Sequence, residues 1–191
     1  RLLNEAALLP DWFMGAQGLD VSPQMRAAYD HAWLDVFHHV HEGPRTLVLR
    51  DYHVDNLMRL DNRDGVRACG LLDFQDALAG HPAYDLMSLL EDARRDIDPA
   101  LQAAMKARYL TARGISHVDA FNAAYAILGA QRHAKVIGIF TRLDRRDGKP
   151  VYLKHIARVW GLLEKNLQHP VLSGLRAWMD EHIPRHLRSA P

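Results

Sequence analysis

The sequence predicts a mainly helical α+β fold, a helical cluster packed against a small β hairpin region that carries a polar loop. Three observations lead to it. Apolar residues recur at helical spacing before Gly43 and again after Pro82. Between Thr46 and Phe74 the pattern shortens to LVL, NLMRL and VRACGLLDF, separated by polar loops and the turn signal Asn62-Arg63-Asp64-Gly65. No repeat or long linker interrupts the 191 residues, which are enough to bury one core.

Taking the elements in order, Leu2, Leu3, Ala6, Ala7 and Leu9 predict a helix of about two turns that Pro10-Asp11 ends or turns, leaving Trp12 in a loop-like segment. Ser22 as N-cap and Pro23 at the first helical position predict a second helix, stopped by Gly43-Pro44. After the β region, PAYDLMSLLEDARRDI, PALQAAMKARYLTARG, HVDAFNAAYAILGAQRHAKVIGIF, VYLKHIARVWGLLEKNLQH and LSGLRAWMDEHIP read as five helices with short connections. The tail RHLRSAP is expected to fray. The chain thus divides into a helical lead-in (1–43), a β region (44–76) and a helical subdomain (77–191).

Composition excludes several function classes. A formal charge of +1 with 25% charged residues supports neither a general nucleic-acid surface nor a polybasic membrane anchor. No window approaches the roughly 20 apolar residues of a membrane span. The single Cys69 cannot form an internal disulfide, its alternating surroundings predict a buried apolar role, and a reducing, cytoplasmic setting fits. The chain opens on Arg1, inside a helical pattern, so a trimmed or domain-level piece of a longer polypeptide is expected. His38, His39 and His41 have no Cys or carboxylate at zinc-ligand spacing and read as favourable charges at a helix C-terminus. Trp33, Trp160 and Trp178 fall on apolar helix faces and are assigned to the core; Trp12 is the candidate for stacking on a sugar.

Chemistry concentrates between Arg45 and Asp85. Asp51 leaves the apolar Leu47-Val48-Leu49, Asn56 follows five residues later against Leu57 and Met58, and Asp73 ends the apolar GLLDF. Any one of these is more often a turn former than a catalyst. Together, each closing a strand, they supply what phosphoryl transfer requires: one carboxylate to orient and deprotonate a hydroxyl, and an amide and a second carboxylate as hard oxygen ligands for Mg²⁺ bridging nucleotide phosphates.

The strings LRDYHVDNLM and LLDFQDALAGHPAYDL resemble the aminoglycoside phosphotransferase and choline kinase family, whose lower lobe is related to the C-terminal lobe of protein kinases. The resemblance implies a protein-kinase-like C-terminal lobe, ATP and Mg²⁺ as cofactors, Asp51 as base, Asn56 and Asp73 as metal ligands, and Asp85 as a buried carboxylate bracing the loop. His53 and Asp76 are grouped with Asp85 as loop-bracing or substrate-orienting. Leu49 departs from the family, many of whose members carry His there; His53 or Asp85 is expected to hold the loop instead. The family's upper lobe grips the nucleotide with a phosphate-covering loop and a Lys. No Gly-rich loop precedes Asp51, and Gly148-Lys149 lacks the phosphate-loop spacing, so the nucleotide-binding lobe is expected to be missing from this chain and the isolated lobe to be inactive.

LPDWF, LRDYHVDNLM and GAQRHAKVIGIFTRL further resemble the bacterial subgroup that phosphorylates the anomeric hydroxyl of N-acetylmuramate and N-acetylglucosamine in cell-wall recycling. Between Gln131 and Arg158, eight basic residues, including Arg132 and Lys135, stand against two acidic ones, Asp144 and Asp147. Such a surface repels a polycationic aminoglycoside but not a neutral or carboxylate-bearing sugar, which makes Arg132 and Lys135 candidates for substrate binding. Aminoglycoside and choline kinases remain alternatives on the same chemistry, and a non-catalytic kinase-like interaction module is the alternative of another class.

Overall fold

The computed structural model describes Arg1–Pro191, all of the chain. Eleven regular elements follow in the order α1 (Leu2–Ala6), α2 (Pro23–His41), β1 (Thr46–Val48), β2 (Leu57–Arg59), β3 (Cys69–Leu71), β4 (Leu78–Gly80), α3 (Ala83–Leu90), α4 (Pro99–Ala112), α5 (Val118–Arg145), α6 (Ile156–Leu167) and α7 (Ser173–His182). The mainly helical α+β expectation holds, with the architecture of a kinase-like C-terminal lobe.

Helix α5 is the axis. Every residue from Ala124 to Ala134 is buried, the signature of a helix covered on all sides rather than along one stripe. α6, α3, α2 and the N-terminal segment pack around it. Gly138 permits the closest approach: a Cβ there would lie 2.3 Å from the Leu8 carbonyl carbon. The lead-in is locked through its aromatics. Trp33 stacks on Phe37 with centroids 5.3 Å apart, Tyr29 meets Trp178 at 4.6 Å, and the Tyr29 hydroxyl donates to the Ala6 carbonyl at 2.9 Å. Trp33, Trp160 and Trp178 are core residues, as the helical spacing predicts.

Two small antiparallel sheets carry the loops of interest. β1 pairs with β4 (Thr46↔Gly80), and β2 pairs with β3 (Leu57↔Leu71) across the DNRDG turn. Ser22 caps α2, its Oγ accepting the Met25 amide at 3.1 Å.

Five expectations are corrected. Pro10 does not end the first helical segment: the chain continues as a π-helical turn over Leu9–Met14, with Pro10 at its start, where a missing N–H leaves no bond unmade. Trp12 therefore sits on helix, half-buried. Cys69 is exposed, because the β2–β3 hairpin has no second layer over it. α3 stops at Leu90 rather than running to Ile97, since the Asp92 carboxylate takes the Arg94 amide at 2.7 Å and so competes with the helical ladder. Pro150–His155 is a 3₁₀ turn leading into α6. The tail is tied down by Arg188, a buried side chain that donates to the Ile183 and Met179 carbonyls at 2.9 and 2.8 Å and pairs with Glu164 and Asp180. No helix is long and apolar enough to cross a membrane.

Candidate active site

β1 delivers the chain to Leu49 and Arg50, and α3 presents Asp85 from its first turn. The Asp85 carboxylate accepts both of the consecutive backbone amides, Leu49 N–H at Oδ2 (2.7 Å) and Arg50 N–H at Oδ1 (3.0 Å). Burial pushes the Asp85 carboxyl above its ordinary range, against the pull of these two donors and of Arg132. At Leu49, Asp85 thus binds the backbone of the loop directly. His53 makes no such brace: its Nδ1 has no hydrogen-bond partner and lies 3.9 Å from Asp55 Oδ2. Burial, with Arg94 and Arg132 nearby, holds His53 below its ordinary value and keeps it neutral.

Arg50 and Asp73 are the chain's only non-glycine residues with positive φ, at 73° and 56°. Left-handed backbone at a residue with a Cβ costs about 1–2 kcal/mol, and it persists where surrounding bonds over-determine it, as at ligand clamps and catalytic loops. One of these residues immediately precedes Asp51. The other is Asp73 itself.

Asn56 joins the two. Its Nδ2 donates to the Asp51 carbonyl at 2.8 Å, which turns Oδ1 away from that bond, and its own carbonyl accepts the Leu72 amide at 3.0 Å. The β2–β3 register thus seats Asn56 next to the residue before Asp73. Asp73 is exposed and accepts a hydrogen bond from Gln75 Nε2. A carboxamide oxygen and an exposed carboxylate, with no third acidic, histidine or cysteine ligand, form no all-protein metal cage. They suit Mg²⁺, which keeps waters and takes its remaining ligands from phosphate.

The basic residues divide. Arg132, buried on α5, places Nη1 3.8 Å from Asp51 Oδ1. Lys135, one turn further on, points elsewhere, with Nζ 3.2 Å from Glu5 Oε2. Glu5 Oε1 also receives Arg50 Nη2 at 2.7 Å, and Arg50 Nη1 lies 3.7 Å from Asp76 Oδ2. Burial alone would raise the Glu5 carboxyl, but Lys135 and Arg50 outweigh it and hold it below the usual range. Lys135 thus reaches the Asp51 loop only through Glu5 and Arg50. Three others are paired as well, Arg145 with Asp144, Arg146 with Asp147 and Arg158 with Asp96. Trp12 lies beside Asp11, which is paired with Arg26 of α2.

Sequence reading passed over the segment after α3. Arg95 bonds Asp55 of the loop, and Arg158 at the start of α6 grips Asp96, with Nη2 2.6 Å from Oδ2. The available signal was EDARRD, five charged residues in six breaking an apolar helical period. Two cavities lie elsewhere: about 780 Å³ among α4, α5 and α6 over Glu91, and about 550 Å³ beneath α1, α2 and β1. Neither is lined by Asp51, Asn56 or Asp73; around the β2–β3 hairpin and the Asp73 loop, Met58, Leu71, Leu72 and Phe74 are exposed.

The fold is that of a kinase-like C-terminal lobe, and the sequence agrees: the profile of the phosphotransferase enzyme family (APH) matches residues 1–121, and the chain belongs to that family. Within it, the chain is similar to proteins named N-acetylmuramate/N-acetylglucosamine kinase. That of Caulobacter vibrioides is 48% identical over 139 residues, 73% of this chain and 38% of the relative. Those of Pseudomonas putida and Neisseria meningitidis are 34% and 36% identical over 171 residues, 86% of this chain and 49% and 50% of the relatives. The chain spans half or less of the length of each.

Proposed function

We propose that residues 1–191 form the catalytic, acceptor-side lobe of an ATP-dependent kinase that phosphorylates a hydroxyl of an amino sugar, N-acetylmuramate or N-acetylglucosamine. The lead-in (1–43) anchors the core, 44–76 carries the catalytic and metal-binding loops, and 77–191 supplies the acceptor side. The observation that carries the reading is the pair of left-handed residues, Arg50 and Asp73, with Asn56 pinned between their loops. Strain of this kind directly before a candidate base and at a candidate metal ligand is what a clamped ligand site shows and a passive scaffold does not need.

In this reading Asp51 accepts the proton of the acceptor hydroxyl. The freed oxygen forms a bond to the γ-phosphorus as the bond to the β-phosphate oxygen breaks and ADP leaves. Asp85 fixes the direction of Asp51 through the two preceding amides. Arg132 keeps the Asp51 carboxylate in place and adds positive potential beside the transferring group. Asn56 Oδ1 and the Asp73 carboxylate would hold Mg²⁺, which supplies charge neutralisation at the phosphates. The nucleotide-gripping part belongs to a further portion of the polypeptide, in cis, that covers exposed apolar residues around the β2–β3 hairpin and the Asp73 loop, Met58, Leu71, Leu72 and Phe74 among them. The amino-sugar acceptor rests on the relatives' names and on the absence of an exposed aromatic cage around Trp33, Trp160 and Trp178, which are buried.

The test is a phosphorylation screen of the full-length polypeptide over amino sugars, aminoglycosides and choline, beside ATP–Mg titration of the 191-residue chain. Phosphorylation of N-acetylglucosamine or N-acetylmuramate, with binding by the isolated chain weaker than micromolar, supports the reading. Turnover of choline or aminoglycosides alone overturns the acceptor, and micromolar binding by the isolated chain overturns the division of labour.

A further inference from the structure

Beside the Asp51 loop lies a buried carboxylate that the phosphate chemistry does not use. Asp92 is 3% exposed, and only one of its oxygens is engaged: Oδ1 accepts the Arg94 amide at 2.7 Å, while Oδ2 is buried with no partner. A buried polar atom without a hydrogen bond costs about as much as a lost bond, so native structures leave few of them without a reason. Three surrounding elements place Asp92. Its own segment is tied to the loop by Arg95 on Asp55, and to the start of α6 by Arg158 on Asp96. Its charge is felt at His53 in the loop and at His155 and Arg158 flanking the start of α6. The buried Nδ1 of His53, two residues from Asp51, is likewise without a partner.

Two buried polar atoms without partners, one in the Asp51 loop and one in the segment that Arg95 ties to that loop, are groups that a bound ligand can satisfy. Resting on the acceptor-kinase reading above, we propose that Asp92 is a specificity-determining residue: its free oxygen accepts a hydrogen bond from a hydroxyl or amide N–H of the sugar, adjacent to the hydroxyl that is phosphorylated. Arg94, Arg132, Arg158 and His155 lie around this region, and Asp55 and Asp96 are already paired to arginines, which leaves Asp92 Oδ2 as the unengaged carboxylate oxygen there. A site of this kind rejects analogues that lack the donor far more strongly than an apolar pocket rejects a missing methylene, because the analogue leaves the carboxylate oxygen dry and unpaired.

Asp92→Asn is close to isosteric and cannot serve both partners. If its amide oxygen keeps the Arg94 N–H, an NH₂ donor faces the sugar's donor; if it flips, the Arg94 amide loses its acceptor. The experiment measures kcat/KM of the full-length wild type and Asp92→Asn for N-acetylglucosamine and for analogues lacking, one at a time, the acetamido group or the 3-, 4- or 6-hydroxyl. Each ratio of parent to analogue is independent of the fraction of active enzyme, so partial misfolding of the variant does not blur it. The wild type is expected to discriminate against one analogue by about tenfold or more, and Asp92→Asn to lose that discrimination while keeping its ratios for the others. Uniform loss across parent and analogues would assign Asp92 a purely structural role and overturn the proposal. A wild type inactive on every amino sugar would instead overturn the acceptor reading on which it rests.

Discussion

Replacing Asp85 by Asn removes very little volume and tests how the candidate catalytic loop is held. The wild-type carboxylate accepts two amides from consecutive residues, at 2.7 and 3.0 Å, and the second belongs to Arg50 at φ 73°. A carboxamide has one acceptor oxygen, so one of the two amides must face an NH₂ donor. An unsatisfied, partly buried amide costs about 1–3 kcal/mol, and releasing Arg50 frees a backbone whose left-handed conformation alone costs about 1–2 kcal/mol. The loop is expected to relax away from that conformation, so the measured loss of stability should fall near 1–3 kcal/mol while Asp51 shifts. A misplacement of order 1 Å near the reacting atoms lowers turnover by about 10²-fold. Urea denaturation of the 191-residue chain reads the first effect, and kcat of the full-length protein reads the second. A variant within about 0.5 kcal/mol of wild type and with unchanged kcat would show that Asp85 does not brace the loop.

Three further outcomes follow from the packing. Glu5→Gln leaves Lys135 and Arg50 with a neutral partner in a mostly buried cluster, and a loss of about 3–5 kcal/mol is expected from breaking such a pair on one side; a change below about 1 kcal/mol would place the cluster among weak surface pairs. Gly138→Ala drives a methyl into the Leu8 backbone, so the thermal midpoint should fall, with overpacking costing about 1–3 kcal/mol or more; an unchanged midpoint would contradict the close approach. His133 is fully buried and held neutral: burial depresses it below its ordinary 6.5 although Glu91 pulls the other way, and Nδ1 lies 2.8 Å from Asn166 Oδ1. Below pH 6.5 the unfolded chain takes up a proton that the native state refuses, so stability present above that pH is lost as pH falls. His133→Gln should flatten this decline in urea midpoints between pH 7.5 and 5.5, and an equally steep variant would assign the decline to other groups, such as His53, His81 and His155.

The helical frame was legible because its signals are local. Ser22-Pro23 and the apolar spacing of α2 leave little freedom, and the EDARRD break after α3 was visible in the same terms, although reading it as helix hid Asp92. The candidate site was legible through residue types at strand ends, and the structure adds what spacing cannot carry. Asp85 stands 34 residues beyond Asp51 in the sequence, yet it fixes the backbone before it. Lys135 and Arg132 look equivalent on one basic helix, but their positions three residues apart aim one at Glu5 and the other at Asp51. Cys69 alternates like a buried strand residue, and alternation defines two faces without saying that anything covers either. Pro10 marks a helix end by local rules, whereas packing against α5 carries the chain through it as a π-helical turn.

The central claim is that Asp51 takes the proton of a sugar hydroxyl while Asn56 and Asp73 hold the metal at the phosphates. It is tested most directly by transfer of γ-phosphate from ATP to N-acetylglucosamine by the full-length polypeptide, compared between wild type and Asp51→Asn at matched thermal stability. The account predicts rapid transfer by the wild type and a fall in kcat of about 10²-fold or more for the variant, with folding unchanged. Transfer at near wild-type rate by Asp51→Asn would contradict it.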